Sequence, residues 1–266
     1  GVNYRKIWNE SSFSNSSISY SSQLGDGEFR DSFTKSVTSR AKNGMQSLSI
    51  RQVNQTKFSN KFNSEYGFEI SSKEFQYDFL LNDLAASQDL SLVNTSVFST
   101  FRYLLTSKLL ISTGVRFESN DYENDLLFSP RLNAKYNMND GQSSIIYNIG
   151  RYYQNPPEIY LSVEENQSIT SVQTVQHSLT YERLISSSTK FTLAYYQKLY
   201  TNAPMLPGDN PYDEPLFLLD RLSMYSGVTS NGRSVADGVE LLIEKKRAEN
   251  FYGLFGASVF NTAYTD

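Results

Sequence analysis

Polarity along this chain alternates residue by residue in recurring runs of roughly 10–15 residues, the length of bilayer-crossing strands, from about position 46 onward. Lys108 to Glu118 is the cleanest run. Leu109, Ile111, Val115 and Phe117 point one way, and Lys108, Ser112, Gly114, Arg116 and Glu118 the other, because strand side chains alternate faces. Thr174 to Glu182, Lys190 to Tyr200 and Val235 to Lys245 repeat the pattern. With weaker segments at Asn3 to Trp8, Ser14 to Ser22 and Met45 to Lys57, the chain predicts about 12 strands.

The joints between strands also alternate. Those at Phe58 to Asn60, Thr106 to Ser107, Asn139 to Gly141, Ser186 to Ser188 and Arg247 to Glu249 are tight. Those at Asn82 to Ser91, Asn120 to Phe128, Gln154 to Val172 and Thr201 to Arg233 read as long loops. All turns then lie at one end of an up-and-down meander and all large loops at the other, the asymmetry of bacterial outer-membrane barrels. The expected fold is all-β, an antiparallel up-and-down transmembrane β-barrel.

A β-sandwich also alternates, so strand length and aromatic placement must decide. The runs exceed the 5–6 residues of ordinary soluble strands, and about 12 residues tilted about 40° span the apolar band. Tyr103, Tyr136, Phe251 and Tyr252 sit next to short turns, where interfacial rings belong; the sandwich reading would make them sheet core.

Composition narrows the function classes. No run approaches the ~18 apolar residues of a membrane-spanning helix, and a mean hydropathy of −0.46 suits strands with only one greasy face. The 266 residues contain no cysteine, which removes disulfide staples, thiolate metal sites and thiol catalysis. A net charge of −4 with interspersed signs and no basic stripe argues against a nucleic-acid partner. The chain opens at Gly1 without Met or a signal segment and stops at Asp266 within a strand-like run, so it reads as a piece of a longer product.

Five stretches, in order, resemble the barrel of TonB-dependent outer-membrane receptors. Leu109 to Glu118 looks like the strand with a "GxR" element, and Phe128 to Tyr136 like the "SPR" strand. Asn148 to Pro157 is similar to the element ending in "YQxP". Gln176 to Glu182 with Ala194 to Lys198 resembles the following hairpin, and Ala236 to Lys245 the "GxE" strand. The resemblance spans roughly Asn60 to Asp266 and is thin before that. It implies a barrel of about 22 strands closed by an N-terminal plug that contacts TonB, of which residues 1–266 are a partial barrel lacking the plug and the final strands. It further implies uptake of a scarce nutrient (siderophore, cobalamin, peptide or glycan) across the bacterial outer membrane. The partners it implies are outer-membrane lipid, the TonB complex, the nutrient and room for a surface lipoprotein. It implies neither covalent chemistry nor a cofactor. The rival readings are a complete small outer-membrane channel or enzyme and a soluble extracellular β-sandwich that binds glycans.

Candidate site residues follow from position. Tyr152, Tyr153, Asn155 and Tyr160 lie at or beyond the outer end of a strand, where rings with polar tips form ligand platforms or an interfacial girdle. Arg116, Arg131 and Glu240 project to the polar face and would line the barrel wall, with wall salt bridges the plainer role. Asp209, Asp213 and Glu214, beside Asn210, are weak calcium candidates against a default of a solvated acidic loop. His177, the single histidine, shares the face of Val175, Leu179 and Tyr181, which favours a lipid or interface position over catalysis.

Overall fold

The computed structural model describes residues 1–30, 32–81, 84–123, 125–138, 140–161, 163–166, 168–205, 227–248 and 251–265. They form one 12-stranded sheet in which every strand pairs antiparallel with its sequence neighbours, and β1 and β12 are its two edges. The strands are β1 (Val2–Asn9), β2 (Ser12–Arg30), β3 (Val37–Lys57), β4 (Phe62–Leu81), β5 (Leu84–Leu104), β6 (Leu109–Asn120) and β7 (Leu127–Asn137). They continue with β8 (Ser143–Gln154), β9 (Val172–Ser186), β10 (Thr189–Met205), β11 (Thr229–Ala248) and β12 (Phe251–Thr265). Between β8 and β9 lie a one-turn helix, α1 (Glu158–Leu161), and a 3-10 turn at Glu164–Asn166.

A single sheet settles the rivalry with a sandwich. Directly paired residues share a face, so the register sorts every side chain. Val97 opposes Phe117, which opposes Phe128; Tyr181 opposes Leu193, which opposes Leu241. These rows stay open to the surroundings, with Val115 37%, Leu193 41% and Leu179 51% exposed. No second layer covers them among the described residues. In water such rows would be a large uncovered apolar surface, whereas in a bilayer they are the face that lipid covers.

The opposite face receives segment 155–171. Ile169, Leu161 and Tyr160 bury themselves against Phe75 of β4 and Leu92 of β5, with Met45, Tyr77 and Leu90 packed around them. Lys73 and Asn94, which reach the segment by polar contacts, share this face with Phe75 and Leu92. It is therefore the inner face, and the polar set of β6 lies on it: Arg116 opposes Phe98, and Glu118 opposes Ser96.

Two expectations change. Asn82 to Ser91 is not a long loop, because pairing between β4 and β5 continues up to Leu81 opposite Leu84. Asn82 and Asp83 themselves lie outside the described residues. The outer ends of β2 to β5 run on past the apolar band: about 20 tilted residues reach roughly 50 Å, twice the band's height. There the alternation reverses its polarity: Phe75, Tyr77, Leu90 and Leu92 face inward under segment 155–171, and the outward face is polar, as where the Ser87 hydroxyl donates to Asp78 at 2.6 Å.

The outward face is also not uniformly apolar. On β1 to β3 it carries a closed hydrogen-bond network. Trp8 Nε1 donates to Ser14 Oγ at 2.7 Å, Ser14 donates to Asn54 Oδ1 at 2.6 Å, and Gln52 Nε2 reaches the same oxygen at 3.1 Å. Ser16 donates to Gln52, and Asn54 Nδ2 reaches the Tyr66 carbonyl at 3.5 Å. Polar side chains on a membrane-facing surface must satisfy one another, and these do.

Candidate functional site

Segment 155–171 is held at the outer end from several sides. Asn155 Nδ2 donates to Asn94 Oδ1 at 2.9 Å, and the Lys73 ammonium pairs with Glu158 at 3.2 Å. The amide of Val228 donates to Asn166 Oδ1 at 2.9 Å, and the amide of Thr170 to Ser230 Oγ at 2.8 Å. Ser171 Oγ bonds Glu123 at 2.7 Å and the Tyr122 hydroxyl at 2.8 Å. Burial pushes the Tyr122 phenol well above its ordinary range. Asn166 is fully buried, and its bond from Val228 offsets the desolvation of its amide while it ties the segment to the chain just before β11.

Beneath this segment, on the inner face of β10 to β12, is a cavity of about 370 Å³. Asn155 and Tyr160 line it from the segment, and Tyr200, Ser234, Thr262 and Tyr264 from the strands. Among the described residues, none that lines it is charged. Its size is at the lower end of small-molecule sites, and its ring faces and few amides and hydroxyls are the usual furniture of such sites. Sequence reading missed Tyr200, Thr262 and Tyr264, because each belongs to an ordinary strand. The available signal was aromatic residues on the polar parity near the outer strand ends.

The four expected platform residues separate. Asn155 and Tyr160 line the cavity. Tyr152 faces inward on β8, with the Arg131 guanidinium 4.5 Å from its ring centre. Tyr153 faces outward, and its hydroxyl donates to Gln173 at 2.9 Å across the β8–β9 pair. Arg116 sits on the inner face between Glu118 at 3.0 Å and Glu69 at 3.9 Å, above the Phe98 ring. Glu240 is on the inner face of β11, opposite Ala194 and Ser258. His177 is on the outward face, its Nδ1 3.4 Å from the Tyr147 hydroxyl. Asp209, Asp213 and Glu214 lie outside the described residues.

Over residues 1–266 the sequence matches the family described as TonB dependent receptor-like, beta-barrel. The chain belongs to this family. Its barrels are those of receptors and transporters of the Gram-negative outer membrane that work with TonB. A comparison with curated proteins finds no match. Among solved structures it is similar to the pyoverdine receptor FpvA of Pseudomonas aeruginosa PAO1 bound to pyoverdine, with TM-score 0.75 and 12% identity over 99% of this chain and 44% of that one. It is also similar to the ferric-catecholate import receptor Fiu of E. coli K12, with TM-score 0.72 and 7% identity over 99% and 47%. The copper transporter OprC matches with TM-score 0.68 and 11% identity over 96% and 45%. At these identities the likeness concerns the fold, and the chain spans less than half the length of each.

Proposed function

We propose that this chain is part of the barrel of a receptor that captures a scarce nutrient at the outer surface and imports it with energy from TonB. The plug that contacts TonB and the strands that complete the wall belong, in this reading, to the remainder of the protein. The cavity beneath segment 155–171 carries the proposal. It lies on the inner face at the loop end, where a solute entering from outside would first meet protein, and its neutral lining leaves binding to shape, ring faces and a few hydrogen bonds. The charged inner wall, with Arg116 between Glu69 and Glu118, would then meet the plug. The deciding assay measures nutrient-limited growth with the complete receptor in cells with and without TonB. Growth that requires both supports the reading; growth that requires the receptor but persists without TonB makes it a passive channel.

A further inference from the structure

The outer end of β10 breaks the rule that successive side chains face opposite ways. Tyr200 pairs with Ser234, but the next partners are Ala203 and Gly232, so three steps along β10 match two along β11. The extra residue is a β-bulge, and a one-residue insertion flips the face of what lies beyond it. Asn202 makes the bulge. It holds φ +60°, in the left-handed region that Asn tolerates better than most side chains. Its side-chain amide also reaches the Ser171 carbonyl of segment 155–171 at 3.5 Å. A second shift, between Ala203 and Met205, puts the compensating extra residue on β11.

This flip has a chemical result. Tyr200 faces inward, and an unbroken strand would continue that face with Asn202 while turning Ala203 and Met205 outward. With the bulge, Ala203 and Met205 turn inward and are only 4% and 6% exposed. Ala203 then joins Tyr200 and Pro204 in the lining of the cavity. The facing strand is shaped to receive the pair. A Cβ on Gly232 would stand 2.6 Å from Met205 Cγ and 2.8 Å from the Ala203 carbonyl oxygen, so glycine alone leaves them room. In the unbulged register the Asn202 amide would project where the Ala203 methyl lies, making the cavity smaller and that wall polar.

Resting on the transport reading above, we propose that Asn202 is the positioning residue of the cargo cavity: its bulge turns the small, apolar Ala203 inward and so sets the room and the character of that wall. The test places Ala203→Cys in the complete receptor, otherwise free of cysteine, and follows its reaction with a water-soluble maleimide. Reaction should be slow, because the position is buried. Adding Asn202→Val, which disfavours positive φ, should speed it at least about tenfold, whereas Asn202→Gly should keep it slow. Deleting Asn202 removes the extra residue and leaves Ala203 facing inward, so that variant should also stay slow. With Ala203 intact, Asn202→Val should raise the nutrient concentration for half-maximal TonB-dependent growth at least about tenfold at an unchanged maximal rate, and Asn202→Gly should restore it. A merely structural role would lower the maximal rate instead. Equal maleimide rates in the Val and Gly variants, or an unshifted half-maximal concentration in a folded Asn202→Val receptor, overturn the proposal. Where Asn202→Val does not assemble, the deletion decides: slow labelling with parent-like growth supports the proposal, and fast labelling or weakened half-maximal growth overturns it. Growth that persists without TonB sinks the transport reading and leaves the maleimide comparison to judge the bulge alone.

Discussion

Two glycines show how single positions set the sheet. Gly141 holds φ +65° in the turn between β7 and β8, a conformation that costs other L-residues energy. Gly141→Ala should therefore destabilise the folded receptor by about 1 kcal/mol, read as a lower urea midpoint in detergent micelles. Next to it, Asp140 accepts bonds from the Ser143 hydroxyl and from the amides of Gln142 and Ser143, which hold its carboxyl below the usual range. That support is present above the ordinary carboxylate pKa and is lost as pH falls through the lowered one. Gly238 serves close approach instead: a Cβ there would come within 2.9 Å of the Tyr196 hydroxyl and of the neighbouring strand. Tyr122 has the opposite sign to Asp140. Its phenol is raised by burial, so its contribution is full below a pH near 10 and disappears as alkali ionises it. Tyr122→Phe should remove one tyrosine from the late-ionising class in a 295 nm titration and cost about 1 kcal/mol for the lost bond to Ser171. An unchanged titration would mean that segment 155–171 does not cover this ring.

At the scale of elements, legibility tracked burial. β6, β9, β10 and β11 could be read directly because lipid on one side and a polar interior on the other enforce the period of two. β2 and β3 were faint for a physical reason. Their outward positions Ser14, Ser16, Gln52 and Asn54 are polar yet internally bonded, and periodicity does not register a satisfied network. Asn54→Leu should cost about 1–3 kcal/mol, because it leaves Ser14 and Gln52 without their shared acceptor on a lipid-facing surface. A neutral result would mean that this face is wet. The cavity was only half legible, through Asn155 and Tyr160. Its other wall comes from β10 to β12, and long-range closure of this kind leaves no local spacing. Segment 155–171 itself is the element to remove. If the proposed cavity holds the cargo, replacing residues 158–169 by a Gly/Ser linker should lower cargo affinity by at least about tenfold while the barrel stays heat-modifiable, since it removes Tyr160 from the lining. Retained affinity would place the site elsewhere.

For the whole molecule, every functional statement depends on which face of the sheet looks at hydrocarbon. The absence of cysteine from these 266 residues makes that directly measurable. Single cysteines at Leu109, Ile111, Val115 and Phe117, and at Ser112, Gly114, Arg116 and Glu118, would be placed in the complete receptor in native outer membranes. Each would be treated with a water-soluble maleimide and, separately, with a lipid-dissolved one. The structure predicts a strict alternation along β6, with odd positions modified only from lipid and even positions only from water or, under the plug, not at all. Water-soluble labelling of the odd row, or labelling that ignores parity, would contradict it.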